Sequence, residues 1–153
     1  MVFELRKYTK PSDTTGVADV SYFFGDAGDI PLAGDFDGDG CDTVSIYRPN
    51  EGRFYIIDRL GFESDGLGAA DVDYLFGNIG DQPFAGDFTG DGVDTIGLYR
   101  KIDSFVYLRY SHDQGTADHS FFYGNPGDVI FAGDWNSDGM DTVGIFRGVS
   151  PSF

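Results

Sequence analysis

Along most of the chain, apolar side chains recur at every second position in short runs bounded by Gly, Asp, Asn and Pro. Val20, Tyr22 and Phe24 fall on one face of an extended segment, and Val72, Tyr74 and Phe76 repeat that arrangement. A period of two over such short runs predicts half-buried β-strands. The segments Thr43–Tyr47, Thr95–Tyr99 and Thr142–Phe146 are β-branched and aromatic, with one small residue inside each: Ser45, Gly97 or Gly144. A small residue inside a strand predicts close approach of another sheet.

The chain repeats itself. Leu32–Arg48 (LAGDFDGDGCDTVSIYR) returns as Phe84–Arg100 (FAGDFTGDGVDTIGLYR) and as Phe131–Arg147 (FAGDWNSDGMDTVGIFR), at offsets of 52 and then 47 residues. Matched segments lie upstream, beginning at Ala18, Ala70 and Ala117, and an aromatic-x-x-aliphatic element is read at Val2–Leu5, Phe54–Ile57 and Phe105–Leu108. The shorter second period is absorbed between Arg109 and Ala117, as loops absorb length changes. Each period thus holds four short extended elements. Four strands per period of about 50 residues predict an all-β, propeller-like fold of four-stranded blades. A β-sandwich made of the same strands would not need the repeat.

Composition narrows the choice of partners. The 153 residues carry 26 acidic side chains against 10 Lys and Arg, a net charge of −16, which repels phosphate backbones and argues against nucleic acid. No apolar run approaches the roughly 20 residues of a membrane helix, and no charged-then-apolar leader opens the sequence. One Cys excludes a disulfide framework and a thiolate zinc site. Of the acids, 23 are Asp and three are Glu, alongside 23 Gly and seven Leu. Asp and Gly favour turns over helices, and Asp is also a compact oxygen ligand for hard cations.

The Asp residues are concentrated in the loops after each Gly-Asp-aromatic step. Counting Asp35 as position 1, the first loop has Asp35, Asp37 and Asp39 at positions 1, 3 and 5, Gly40 at 6, Cys41 at 7 and Asp42 at 8. Alternating carboxylates followed by Gly, with a backbone carbonyl from position 7, form a calcium-loop pattern. The second loop supplies Asp87, Thr89, Asp91, Val93 and Asp94, and the third Asp134, Asn136, Asp138, Met140 and Asp141. Variation at position 7 suits a carbonyl ligand and makes Cys41 incidental. An EF-hand is excluded, since position 12 is Ile46 and helical flanks are missing; an RTX roll lacks its nonapeptide period.

These residues resemble the FG-GAP/VCBS group of calcium-binding propeller repeats, found in integrin α-chain heads and secreted bacterial proteins. Phe24-Gly25, Phe76-Gly77 and Tyr123-Gly124 match its Phe-Gly pair, and the openings at Gly34, Gly86 and Gly133 match the start of its metal loop. The resemblance spans essentially the whole chain. It departs at position 9, where the family places its last carboxylate. Here position 9 is Thr43, Thr95 or Thr142 and the acid stands one residue earlier, so either Asp42, Asp94 and Asp141 complete the site or they point elsewhere.

The resulting expectation is about three Ca2+ per chain in a non-enzymatic module for binding or scaffolding, with carbohydrate or protein as ligand. A purely structural spacer within a larger secreted protein is the alternative, and a propeller hydrolase or lyase ranks third, because no nucleophile–His–acid set is found. Calcium loops imply a secreted or extracellular setting. His112 and His119 do not recur, and His119 aligns with Val20 and Val72. Arg48, Arg100 and Arg147 do recur, and pairing with Asp29, Asp81 and Asp128 is favoured over a ligand-binding ring. Trp135 stands where Phe36 and Phe88 stand, which predicts packing beside the third loop. The blades are expected over residues 29–77 and 81–124, with a split blade formed by 128–147 and 2–25. Three blades are too few for a ring, so a homodimer closing six blades is expected.

Overall fold

A computed structural model of the chain describes residues 2–5, 18, 20–59 and 68–148. Within the expected units, positions 6–17, 19 and 60–67 lie outside the described residues. Among the described residues the fold is all-β: twelve strands, no helix and no closed barrel. The strands are β1 (Val2–Leu5), β2 (Val20–Phe23), β3 (Ile30–Gly34), β4 (Thr43–Arg48), β5 (Arg53–Ile56), β6 (Val72–Leu75), β7 (Gln82–Gly86), β8 (Thr95–Arg100), β9 (Phe105–Leu108), β10 (His119–Phe122), β11 (Val129–Gly133) and β12 (Thr142–Phe146). They form two four-stranded antiparallel sheets, β3-β4-β5-β6 and β7-β8-β9-β10, and two two-stranded sheets, β1-β2 and β11-β12.

The first strands β3, β7 and β11 lie side by side, and the sheets stack in chain order. The two full sheets each pack one face on the sheet before and the other on the sheet after. Tyr22 and Phe24 thus pack on Ile46 and Ile57; Leu32, Phe36, Tyr47, Phe54 and Tyr74 pack on Ile96 and Leu98; Phe84, Phe88, Tyr99 and Val106 pack on Ile130. Tyr47, Phe54, Leu98, Tyr99 and Val106 are fully buried. Burying such aromatic and aliphatic side chains contributes about 1.5–3 kcal/mol each, which lets short strands hold together between sheets.

Two local expectations change. The third element of the first full sheet is Arg53–Ile56, not Phe54–Ile57, because Arg53 pairs with Leu75 and Phe54 with Tyr74. The small residues inside the second strands make room within their own sheet, not for another one. Gly97 pairs with Phe84, and a Cβ on Gly97 would lie 2.2 Å from Phe84 Cζ. Gly144 faces Phe131 in the same way, while Ser45 faces the smaller Leu32.

Candidate metal loops and inter-sheet grooves

The three Asp loops join β3 to β4, β7 to β8 and β11 to β12. Within each, the first carboxylate accepts backbone N–H groups and thereby folds the loop around itself. Asp35 accepts from Gly38 (2.8 Å), Asp39 (3.1 Å) and Gly40 (2.7 Å). Asp87 accepts from Thr89, Gly90, Asp91 and Gly92 at 2.7–3.3 Å, and Asp134 from Asn136, Asp138 and Gly139 at 3.0–3.3 Å. Burial pushes the Asp87 carboxyl up, but these four donors outweigh it and hold the group below its usual value. Asp134 is lowered chiefly by the N–H of Gly139.

Position 4 is left-handed in every loop: Gly38 at φ +76°, Gly90 at +75° and Ser137 at +60°. The sharp turn there brings positions 1, 3 and 5 together. Asp35, Asp37 and Asp39 each present a carboxylate oxygen within 4.8 Å of the others. Thr89 and Asn136 replace the position-3 acid in the other two loops, and the Asn136 amide donates to Asp138 Oδ2 at 2.8 Å.

The position-8 acids of the second and third loops reach back to the preceding loop. Asp94 Oδ2 accepts the N–H of Asp35 at 2.8 Å, while the Asp94 N–H donates to the Asp35 carbonyl at 2.7 Å. Asp141 repeats both bonds with Asp87, at 3.1 and 2.6 Å. Burial raises the Asp94 carboxyl above its usual range. Asp42, the first of the set, is exposed. Position 7 also contacts the loop before it: a Cβ on Gly38 would lie 3.1 Å from Val93 Cγ2, and one on Gly90 2.8 Å from Met140 Cγ. Variation at position 7 gave no sign of this packing; of the two readings open for the position-8 acids, Asp94 and Asp141 follow the one in which they point away from their own loops.

The recurrent arginines pair as the spacing suggested. Arg48, Arg100 and Arg147 each donate through Nε and Nη2 to the two oxygens of Asp29, Asp81 and Asp128, at 2.6–2.9 Å. The same aspartates accept the N–H groups of Asp26, Asn78 and Asn125. The Arg48 guanidinium beside Asp29 holds that carboxyl below its usual value, against the opposing effect of burial. Arg48 and Arg100 also lie over the rings of Tyr55 and Tyr107, at 4.9 and 4.6 Å. Beside each Arg–Tyr stack runs a groove between adjacent sheets. One of about 440 Å³ is lined by Phe24, Gly25, Arg48 and Tyr55. Its counterpart of about 400 Å³ is lined by Phe76, Gly77, Arg100 and Tyr107.

The remaining candidates are structural in their contacts. His112 Nε2–H donates to the Phe36 carbonyl at 3.1 Å with its ring edge-on to Phe36, and burial pushes its pKa down. His119 is exposed on β10 against Phe121. Trp135 packs edge-on to Phe131 and its indole N–H donates to the Thr142 carbonyl at 3.1 Å. Compared with family models, curated proteins and solved structures, the chain shows no match.

Proposed function

We propose that the chain is a non-enzymatic, calcium-stabilised module of propeller-like, four-stranded blades that serves in binding or scaffolding, with carbohydrate or protein as ligand. The observation that carries the reading is the convergence of Asp35, Asp37 and Asp39 in a loop whose backbone is already folded around the Asp35 carboxylate. Three carboxylates held that close repel one another, and a hard divalent cation reverses the sign of that interaction. The donor sets fit calcium: carboxylate, carboxylamide and hydroxyl oxygens, completed by the carbonyl of position 7. Asp35, Asp37, Asp39 and Cys41 would hold the first ion; Asp87, Thr89, Asp91 and Val93 the second; Asp134, Asn136, Asp138 and Met140 the third. The ion supplies charge compensation and ties the loop ends together. Such loops are suited to an extracellular setting, where calcium is plentiful.

The blade reading draws on sheets stacked in order with their first strands side by side. The ligand would occupy the repeated inter-sheet grooves, where a Tyr face and a guanidinium edge are presented in register on successive sheets. Thermal unfolding in excess chelator and in millimolar calcium tests the metal. Calcium at 100 times its Kd adds about 2.7 kcal/mol per site, so an unchanged Tm refutes the reading. A glycan array run in both conditions tests the ligand. Silence in both favours a purely structural spacer.

A further inference from the structure

The two inter-sheet grooves occupy the same place in the repeat, but their walls differ in chemistry. In the first, Asp26 and Asp73 stand where the second has Asn78 and Ser120. Both carboxylates are engaged: Asp26 accepts from Arg48 Nη2 at 2.7 Å, and Asp73 accepts from Arg53. The Tyr55 hydroxyl accepts from Arg48 and donates to Glu51 at 3.2 Å, so its proton is used as well. The polar groups of the first groove are spent on one another.

The second groove has no such lattice. Arg100 Nη1 donates to the Tyr107 hydroxyl at 3.0 Å, but Asp103, at the position of Glu51, accepts the N–H of Phe105 instead. Among the described residues, nothing accepts the Tyr107 proton, and the exposed Ser120 and Thr116 hydroxyls beside it have no partner. Phe105 stands in place of Arg53. It pairs with Phe122, which lies two residues from Ser120, so both rings share the face of Tyr107. Ring centroids are 5.9 Å apart for Phe105 and Tyr107 and 6.3 Å apart for Phe105 and Phe122. Tyr107 packs against the core of the preceding sheet, whereas Phe122 is 63% exposed.

We propose that the second groove, and not the first, carries the ligand, and that this ligand is an uncharged sugar. The inference rests on the binding role proposed above and narrows both its site and its ligand. A pyranose ring has a face of polarised C–H bonds and a rim of hydroxyls. The rings of Phe105 and Phe122 receive the face, and the hydroxyls of Tyr107, Ser120 and Thr116 hydrogen-bond the rim. Among the described residues lining the groove there is no carboxylate to meet an amine. Its one cation, Arg100, is neutralised at 2.8 Å by Asp81, whose side chain is 3% exposed. The net charge of −16 repels an acidic sugar. The groove volume of about 400 Å³ falls within the range of about 300–1,000 Å³ found for small-ligand sites.

The test is an array of neutral hexose and N-acetylhexosamine oligomers, with uronic-acid and free-amine glucosamine oligomers as charged arms. It is probed with the whole chain in millimolar calcium, and the strongest neutral hit is titrated by calorimetry. Neutral glycans alone are expected to bind. Phe122→Ser, at an exposed ring, lowers the affinity about tenfold with unchanged circular dichroism. Tyr107→Phe, which keeps the ring and removes the hydroxyl, lowers it about threefold to tenfold. Leu75→Ser, at the Phe122 position of the first groove, leaves it unchanged. A preference for charged glycans overturns the ligand class. Affinity unchanged in both second-groove variants, or lost equally in Leu75→Ser, overturns the assignment of the groove. Silence toward every glycan overturns the inference as a whole, whereas the calcium dependence of Tm, measured apart, decides whether the calcium-stabilised module itself stands.

Discussion

Replacing Ser104 by Gly stabilises the fold. Ser104 closes the turn between β8 and β9, where its N–H and that of Asp103 donate to the Arg100 carbonyl at 2.8 and 3.3 Å. Gly52 closes the equivalent turn between β4 and β5, donating to Arg48 at 2.9 Å. Both residues are left-handed, at φ +61° and +66°, and both carbonyls accept an N–H from the following strand region, Tyr123 or Phe76. The backbone role is the same, so the difference lies in the Ser side chain, which is fully buried and whose hydroxyl has no partner. A left-handed L-residue costs about 1 kcal/mol, and an unpaired buried hydroxyl costs about 1–3 kcal/mol. Against these, Gly frees the unfolded chain by about 0.5–1 kcal/mol. The net gain is about 1–3 kcal/mol, or roughly 3–9 °C in Tm for a chain of this size. Urea unfolding followed by two probes measures it, with the m-value unchanged. Ser104→Ala removes the hydroxyl but keeps a Cβ at positive φ, so its gain is that of the lost hydroxyl alone, about 1–3 kcal/mol. A Gly or an Ala variant less stable than the parent refutes the reasoning.

Gly97→Ser destabilises by about 2 kcal/mol through overpacking against the Phe84 ring; adding Phe84→Leu recreates the Leu32–Ser45 pair and restores most of the loss in a double-mutant cycle. Arg48→Met leaves the Asp29 carboxylate, whose side chain is 3% exposed, without its cation and costs about 3 kcal/mol in chemical denaturation. Because Arg48 depresses the Asp29 pKa, the pair's stabilisation is complete above the unfolded carboxyl value of about 3.9 and is lost as pH falls through the lower folded one. The acid limb of the stability–pH curve is therefore shallower in Arg48→Met than in the parent. Thr89→Asp gives the second loop the acids of the first and tightens calcium there, in an order of first loop, third, then second for the parent; titration calorimetry showing no gain contradicts that ranking.

Strand positions and the stacking of sheets were legible because they follow from period-two patterning and turn residues, which act over a few positions. The Arg–Asp pairs were legible because both partners recur at one spacing, and only two charges that meet need to keep it. The register of the third element was not. An aromatic starts the matched motif at Phe54 and again at Phe105, yet Phe54 is fully buried and Phe105 is 36% exposed. The residue that shares the Phe54 face is Val106, and a one-residue slip reverses every side chain in a strand. Shape alone cannot reveal that slip when both faces carry aromatics. The role of Gly97 was similarly hidden, since its reason is Phe84, thirteen residues earlier on the paired strand.

The position-8 aspartates show why a site pattern and a fold pattern can occupy the same seven or eight residues. The side chain of Asp35 organises its own loop, while its backbone N–H and carbonyl are held by Asp94 from the next sheet. Asp87 is held by Asp141 in the same way. A displacement of the first carboxylate therefore moves the joint between sheets as well as the loop. In the first loop the acids that converge at positions 1, 3 and 5 include the residue whose backbone the next sheet grips, so a change in their mutual repulsion acts on the joint as well as on the loop. Local mimicry of a calcium loop needs only Asp and Gly at alternate positions. A carboxylate at position 8, bonded to a backbone more than fifty residues away, serves the stacking of one sheet on the next, and that is a property of the repeat and not of the loop.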